Sequence, residues 1–223
     1  VVALALFFYR ICFACIYFLA VLAIYCSLNS KGEITMKLLA VDLQKQLINE
    51  SLYQSELLIQ HIQELIQLAR NCSVEVLYIR HDDGAGTGLS KGENGFNIYT
   101  DFKPAEGEQI FDKTVNSAFY NTGLLEYLHK QQENTIMIVG LQTDYCIDAT
   151  IKSGFEYGFH MIVPNGTNST VDNSYLTGKQ SYEYYNQYIW NNRYASCISF
   201  EAAKQTIQDA SVLPNSSQQC TAE

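Results

Sequence analysis

Apolar and polar positions along the chain switch repeatedly between two periods. The run KLLAV (37–41) is short and apolar and ends on Asp42, the pattern of a buried strand with a carboxylate at its carboxyl end. Over residues 51–70 apolar side chains recur at Leu58, Ile62, Leu65, Ile66 and Ala69, the i, i+3, i+4 stripe of an amphipathic helix. VEVLYI (74–79) predicts a second strand. A segment carrying Gly84, Gly86, Gly88, Gly92 and Gly95 follows, too rich in glycine for regular structure. A helix is expected over about 122–132, and then TIMIV (135–139), the most apolar strand of the chain. Beyond it come a helix over 145–157, a strand over 160–163, a Tyr-rich helix around 182–191 and a last strand near 197–200. Strand and helix alternate throughout, which predicts an α/β fold of three layers, α/β/α, with a mostly parallel sheet and helices on both faces. Ligands in such sheets sit beyond the carboxyl ends of the strands, a rule that selects Asp42, His81 and residues 141–146.

The two ends of the chain do not share this pattern. Residues 1–28 are almost wholly apolar, with Arg10 the only charge, and 11–28 just reaches the length of a membrane-spanning segment. Read literally, residues 1–35 are a signal anchor or an uncleaved secretory segment. The first methionine is Met36, directly before the first strand, so translation from Met36 is the alternative, with 1–35 an upstream-translation artefact. The expected compartment follows that choice: cytoplasmic for a chain starting at Met36, membrane-anchored or secreted if residues 1–28 are translated. Asn-x-Ser/Thr triplets at Asn71, Asn165, Asn168 and Asn215 do not settle it, since such triplets arise by chance in a sequence rich in Asn and Ser. At the other end SVLPNSSQQCTAE (211–223) lacks periodicity and is expected to be disordered. One domain over 36–210 remains.

With 48% hydrophobic and 17% charged residues the bulk of the chain has an ordinary globular composition. The net charge of −9 argues against nucleic acid or an anionic membrane surface as the main partner, since both need a basic patch. A small neutral or cationic molecule is the easier ligand. Seven cysteines are too few for a disulfide scaffold, and the nearest approach to a metal-binding pair, Cys12 and Cys15, lies inside the apolar run. Reduced thiols are the default expectation.

One of those thiols stands out by position. Cys146 falls where a strand gives way, across GLQTD, to the start of a helix. Unpaired amides and the positive end of the helix dipole there are expected to lower a thiol from ~8.5 toward neutrality. A buried structural cysteine is the bland alternative. A nucleophilic cysteine also needs a base and a cationic or hydrogen-bonding neighbour; Asp42 can supply the first and Lys113, in IFDKTVNSAF, the second. The glycine segment GAGTG lacks the Lys-Ser/Thr of a phosphate-binding loop and reads as a mobile loop beside the site.

In combination, LLAVDLQ (38–44), IRHDDGAG (79–86), IFDKTVNSAFYNTGLLEYL (110–128) and IVGLQTDYCIDATIKSGFEYGF (138–159) resemble the isochorismatase-like cysteine hydrolases, in the family's order. The resemblance covers roughly residues 36–207 and implies an Asp, Lys and Cys triad on Asp42, Lys113 and Cys146. It implies that Asp42 takes the thiol proton, Lys113 holds the carboxylate and the developing charge, and Cys146 attacks a carbonyl carbon. The oxyanion then meets the backbone amides of Gln142 and Cys146, with a cis peptide before Gln142, and water cleaves the acyl-enzyme. Candidate substrate contacts are Gln44, His81, Tyr120 and Tyr145; His81 reads equally as an anchor for the glycine loop, and Phe119 as core.

Departures from subfamily patterns sharpen the expectation. The zinc-binding Asp-x-His set of nicotinamidases is not matched, because the second strand continues as His81-Asp82-Asp83-Gly84 and the next histidine is His129. No metal and no cofactor are therefore expected. Isochorismatases that act on a vinyl ether can dispense with the cysteine, so its presence points to a small amide, carbamoyl or related C–N bond. The expectation is a metal-independent cysteine hydrolase with a small-molecule substrate, assembled as a homo-oligomer as this family tends to be. The alternative on the same fold is a non-catalytic ligand-binding or redox-sensing protein.

Overall fold

The structure, a computed structural model, describes residues 35–210. The expectations for the apolar segment before residue 35 and for the tail over 211–223 lie outside the described residues. Among the described residues seven strands form one sheet: β1 (Lys37–Val41), β2 (Val76–His81), β3 (Gln109–Lys113), β4 (Thr135–Leu141), β5 (His160–Pro164), β6 (Asn168–Ser169) and β7 (Ser196–Ile198). The order is β3-β2-β1-β4-β5-β7, with β6 pairing β4, and every ladder is parallel. Five α-helices complete the layers: α1 (Ser55–Asn71), α2 (Leu124–Lys130), α3 (Asp148–Glu156), α4 (Gly178–Glu183) and α5 (Phe200–Ala210).

Strand alternation divides the core between the two faces of the sheet. Leu38 and Ala40 of β1, with Met137 and Val139 of β4, face the α1 stripe of Leu58, Ile62 and Leu65 and the α5 residues Ala203 and Ile207. Leu39, Val41, Ile136 and Ile138 point the other way, onto Leu124 and Leu128 of α2 and Ile151 of α3. Each fully buried Leu or Ile contributes roughly 1.5–3 kcal/mol of transfer free energy, so the central strands, apolar on both sides, hold the layers together. Among the described residues no helix is long and apolar enough to cross a membrane.

The three-layer α/β/α expectation therefore holds, with differences at particular elements. α1 begins at Ser55, because Gln54 takes a left-handed conformation (φ 51°) that the helix cannot extend through. β3 and α5 were not expected from the pattern. β3 pairs only β2, and its QIF segment is partly exposed. α5 buries only Ala203 and Ile207, a stripe too sparse to announce a helix.

Strand order matters for function. From β1 the chain builds outward through β2 and β3 on one side, and from β4 outward through β5 and β7 on the other. The order reverses between β1 and β4, and open α/β sheets place their ligand crevice at such a switch point.

Candidate active site

Four neighbouring strand ends assemble the site. Register sets His81 of β2 beside Lys113 of β3, while Val41 of β1 pairs both Ile79 and Gly140. Asp42 follows directly, turned out of the strand by a left-handed conformation (φ 54°) that Asp tolerates better than most residues. Across the switch, Gly140 has a φ of 126°, and a Cβ there would collide with the Val41 carbonyl oxygen. Only glycine lets β4 pass so close to β1. The Leu141–Gln142 peptide is cis, as the family resemblance implies. The chain then enters a π-helical turn, Thr143–Ile147, ahead of α3. Such wide turns concentrate at functional sites, and this one carries Cys146. It is tied to the sheet by Thr143 Oγ1, which donates to Asn168 Oδ1 at 2.8 Å.

Lys113 sits at the centre of this cluster. Its ammonium is fully buried and lies 2.8 Å from Asp42 Oδ2, 2.6 Å from His81 Nδ1 and 3.1 Å from Cys146 Sγ. The ammonium thus hydrogen-bonds to His81 and Cys146 and forms an ion pair with Asp42, partners that a buried charge needs. With Nδ1 accepting from Lys113, the ring proton of His81 belongs on Nε2, which lies 2.8 Å from Asp83 Oδ1. His81 is then a neutral bridge between Asp83 and the ammonium. Donor atoms of Asp42, His81 and Cys146 lie within 4.8 Å of one another, a spacing that suits a metal ion. The Lys113 ammonium already bonds to all three and supplies the positive charge an ion would bring.

Burial raises the Asp42 carboxyl above its ordinary value, against the opposing pull of Lys113. Cys146 is pushed up to about 12, first by burial and then by the Asp42 anion, with Lys113 opposing. This corrects the expectation of a thiol lowered toward neutrality. The helix start and the lysine are both present, but desolvation and the adjoining carboxylate outweigh them. The resting site accordingly holds a protonated thiol beside a carboxylate made more basic than usual.

Asp42, His81, Gln142 and Cys146 open onto a cavity of about 240 Å³. Leu47, Leu89 and Tyr145 give it apolar walls, and Asn116 and Asp83 add polar groups. Asn116 Oδ1 is 3.7 Å from Cys146 Sγ. Of the sequence candidates, Asp42, Lys113, Cys146, Gln142, His81 and Tyr145 are thus brought together. Gln44 is not free to contact substrate: its Nε2 donates to the His81 and Phe96 carbonyls at 2.9 and 3.1 Å, and its Oε1 accepts from His81 N at 2.7 Å. It holds the end of β2 in place. Tyr120 is 60% exposed and does not line the cavity. Phe119 is core, as expected. Sequence reasoning did not single out Asn116, Leu47, Leu89 or Asp83. Asn116 and Asp83 each sat within a few residues of a nominated one, the only signal the sequence offered.

Residues 37–180, more than half of the chain, match the family model described as Isochorismatase domain. The chain belongs to the isochorismatase family. The uncharacterized isochorismatase family protein YrdC of Bacillus subtilis (strain 168) is 35% identical over 101 residues, covering 45% of this chain and 54% of that protein. Streptothricin hydrolase of Streptomyces noursei is 23% identical over 137 residues, covering 60% of this chain and 50% of that protein. The chain spans about half the length of these curated relatives. In fold it is similar to the crystal structure of a cysteine hydrolase from Pseudomonas syringae pv. phaseolicola 1448A, with a TM-score of 0.72 at 21% identity, covering 80% of this chain and 95% of that one.

Proposed function

We propose that the protein is a cysteine hydrolase that cleaves a small amide, carbamoyl or related C–N bond without a metal. One observation carries the reading: a buried ammonium, Lys113, that pairs with the Asp42 carboxylate and hydrogen-bonds to Cys146 Sγ beneath the switch-point crevice. Relatives named streptothricin hydrolase and, in Pseudomonas putida KT2440, maleamate amidohydrolase support the reaction class.

Each group has one task. Cys146 Sγ attacks the carbonyl carbon as its proton passes to Asp42, whose raised basicity suits it to receive a proton from a thiol near 12. Lys113 keeps the carboxylate oriented and offsets the negative charge that develops beside it. The carbonyl oxygen turns toward the backbone amides of Gln142 and Cys146, an arrangement worth about 3 kcal/mol per donor in the barrier. The tetrahedral adduct collapses as the C–N bond breaks and the departing nitrogen takes the proton from Asp42. Water, deprotonated by the freed carboxylate, then attacks the thioester, releases the acid product and restores the thiol.

The test is release of ammonia or amine from a panel of small primary amides and N-carbamoyl compounds, followed for the wild type and for Cys146→Ala. Turnover that disappears in the variant supports the mechanism. A substrate turned over equally by both would remove Cys146 from it.

A further inference from the structure

We infer that the substrate carries a positive charge, an ammonium or guanidinium a few bonds from the reacting carbonyl, and that Asp83 selects it. The inference rests on the reading of Cys146 as nucleophile and adds the substrate class.

Asp83 lines the same cavity as Cys146, and its side chain is 53% exposed. Two bonds fix it there: its amide donates to the Leu89 carbonyl at 3.1 Å, and its Oδ1 receives His81 Nε2 at 2.8 Å. Its second oxygen has no partner among the described residues. The imidazole of His81 spans the distance to the reacting sulfur, with Nδ1 3.8 Å from Cys146 Sγ. The carboxylate thus stands across the His81 ring from the nucleophile, in the same cavity, where the far end of a small substrate would lie.

No cation balances it. The cavity lining holds neither lysine nor arginine among the described residues, and Lys113, buried beneath, is already matched with Asp42. Cations on the surrounding segments are engaged elsewhere. Arg80 pairs with Asp112 at 2.8 Å and stacks over Phe96, Lys91 also reaches Asp112 at 3.3 Å, and Lys45 bonds to Asn94. A carboxylate substrate would enter beside Asp83 with nothing to pair with, whereas a cation would gain a salt bridge and the Tyr145 ring in the same cavity.

The test uses three thiol reagents of similar size on the full chain: aminoethyl, methyl and sulfonatoethyl methanethiosulfonate, respectively cationic, neutral and anionic. In each, Cys146 sulfur attacks the sulfenyl sulfur and the thiol proton passes to base. The S–S bond to the sulfonyl group breaks, and methanesulfinate leaves with the electron pair. Rates at Cys146 are read by peptide mass spectrometry and divided by the rates on 2-mercaptoethanol. The expected cation-to-anion ratio is about tenfold or more, the size a single carboxylate lining the same partly hydrated cavity produces. Asp83→Asn keeps the acceptor for His81 Nε2 and should reduce the ratio to near one. Asp82→Asn, the same charge change outside the cavity lining, should leave it. A ratio near one in the wild type, or one that Asp82→Asn lowers as much as Asp83→Asn, overturns the inference and leaves the nucleophile standing. A Cys146 that no reagent modifies overturns the nucleophile itself.

Discussion

Cys146 and Cys197 are both raised by burial but sit in different surroundings, and on the proposed reading only the first is a nucleophile. Both thiols are pushed up to about 12, and in both burial is the leading cause. For Cys197, in β7, burial is the whole cause. Its neighbours are the strand register with Val163 and the apolar cluster over that face of the sheet. Cys146 has the same desolvation, but also an anion that raises it, a cation that opposes and a cavity to act into. A raised thiol value therefore does not by itself mean an unreactive sulfur. On the proposed mechanism, what sets Cys146 apart from Cys197 is a base within reach to take the proton at the moment of attack.

The largest effect should come from exchanging the two positions' fates. Cys146→Ala is expected to cost about 10⁴-fold or more in amide turnover, measured as ammonia release, whereas Cys197→Ala stays within about twofold of wild type. Next, Asp42→Asn removes the base and should lower turnover by roughly 10²–10⁴-fold. The same change removes the anion that raises Cys146, so its thiol should titrate below the wild-type value of about 12 while Cys197 stays put. The pH dependence of iodoacetamide alkylation, resolved by peptide, reads both sites in one experiment. A loss of turnover accompanied by a more acidic thiol would be a signature that general unfolding does not give.

Lys113→Met works in the opposite sense. Lys113 pulls down both Asp42 and Cys146, so its loss should move both further up. Asp42 acts as base only when ionised, and activity falls as pH drops through its value. That acid limb already lies above the ordinary carboxylate value of 3.8 and should move to still higher pH in Lys113→Met. An acid limb of kcat/KM that stayed in place would separate it from Asp42. The smallest effect belongs to stability: Cys197→Ala should lower the urea unfolding free energy by about 1 kcal/mol, the scale of one small half-buried group.

Legibility followed burial. β1, β4 and the α1 stripe were plain in the sequence because their apolar positions are fixed by packing on both faces of the sheet. β3 was not, since an edge strand with an exposed QIF segment carries no period that distinguishes it from a loop. α5 escaped for a related reason, its contact with the sheet resting on two small apolar positions. Within the site, Asp42 and Cys146 were legible as residues at strand ends. Gln44 looked like a substrate contact by its nearness to Asp42, yet its amide is spent on the backbone of β2 and the neighbouring loop.

The sequence by itself determined the alternating layers, the strand ends where chemistry gathers and the three residue types for a thiol-based hydrolysis, because periodicity and motif order are properties of the chain. Only the tertiary structure decided that Lys113, from an edge strand, reaches Asp42, His81 and Cys146 together, since that depends on parallel register across four strands. It also decided that burial and Asp42 raise the Cys146 thiol and that Asp83, bonded through one oxygen to His81, lines the cavity. Desolvation and the pairing of charges are set by what surrounds a group in space, which no local stretch of sequence records.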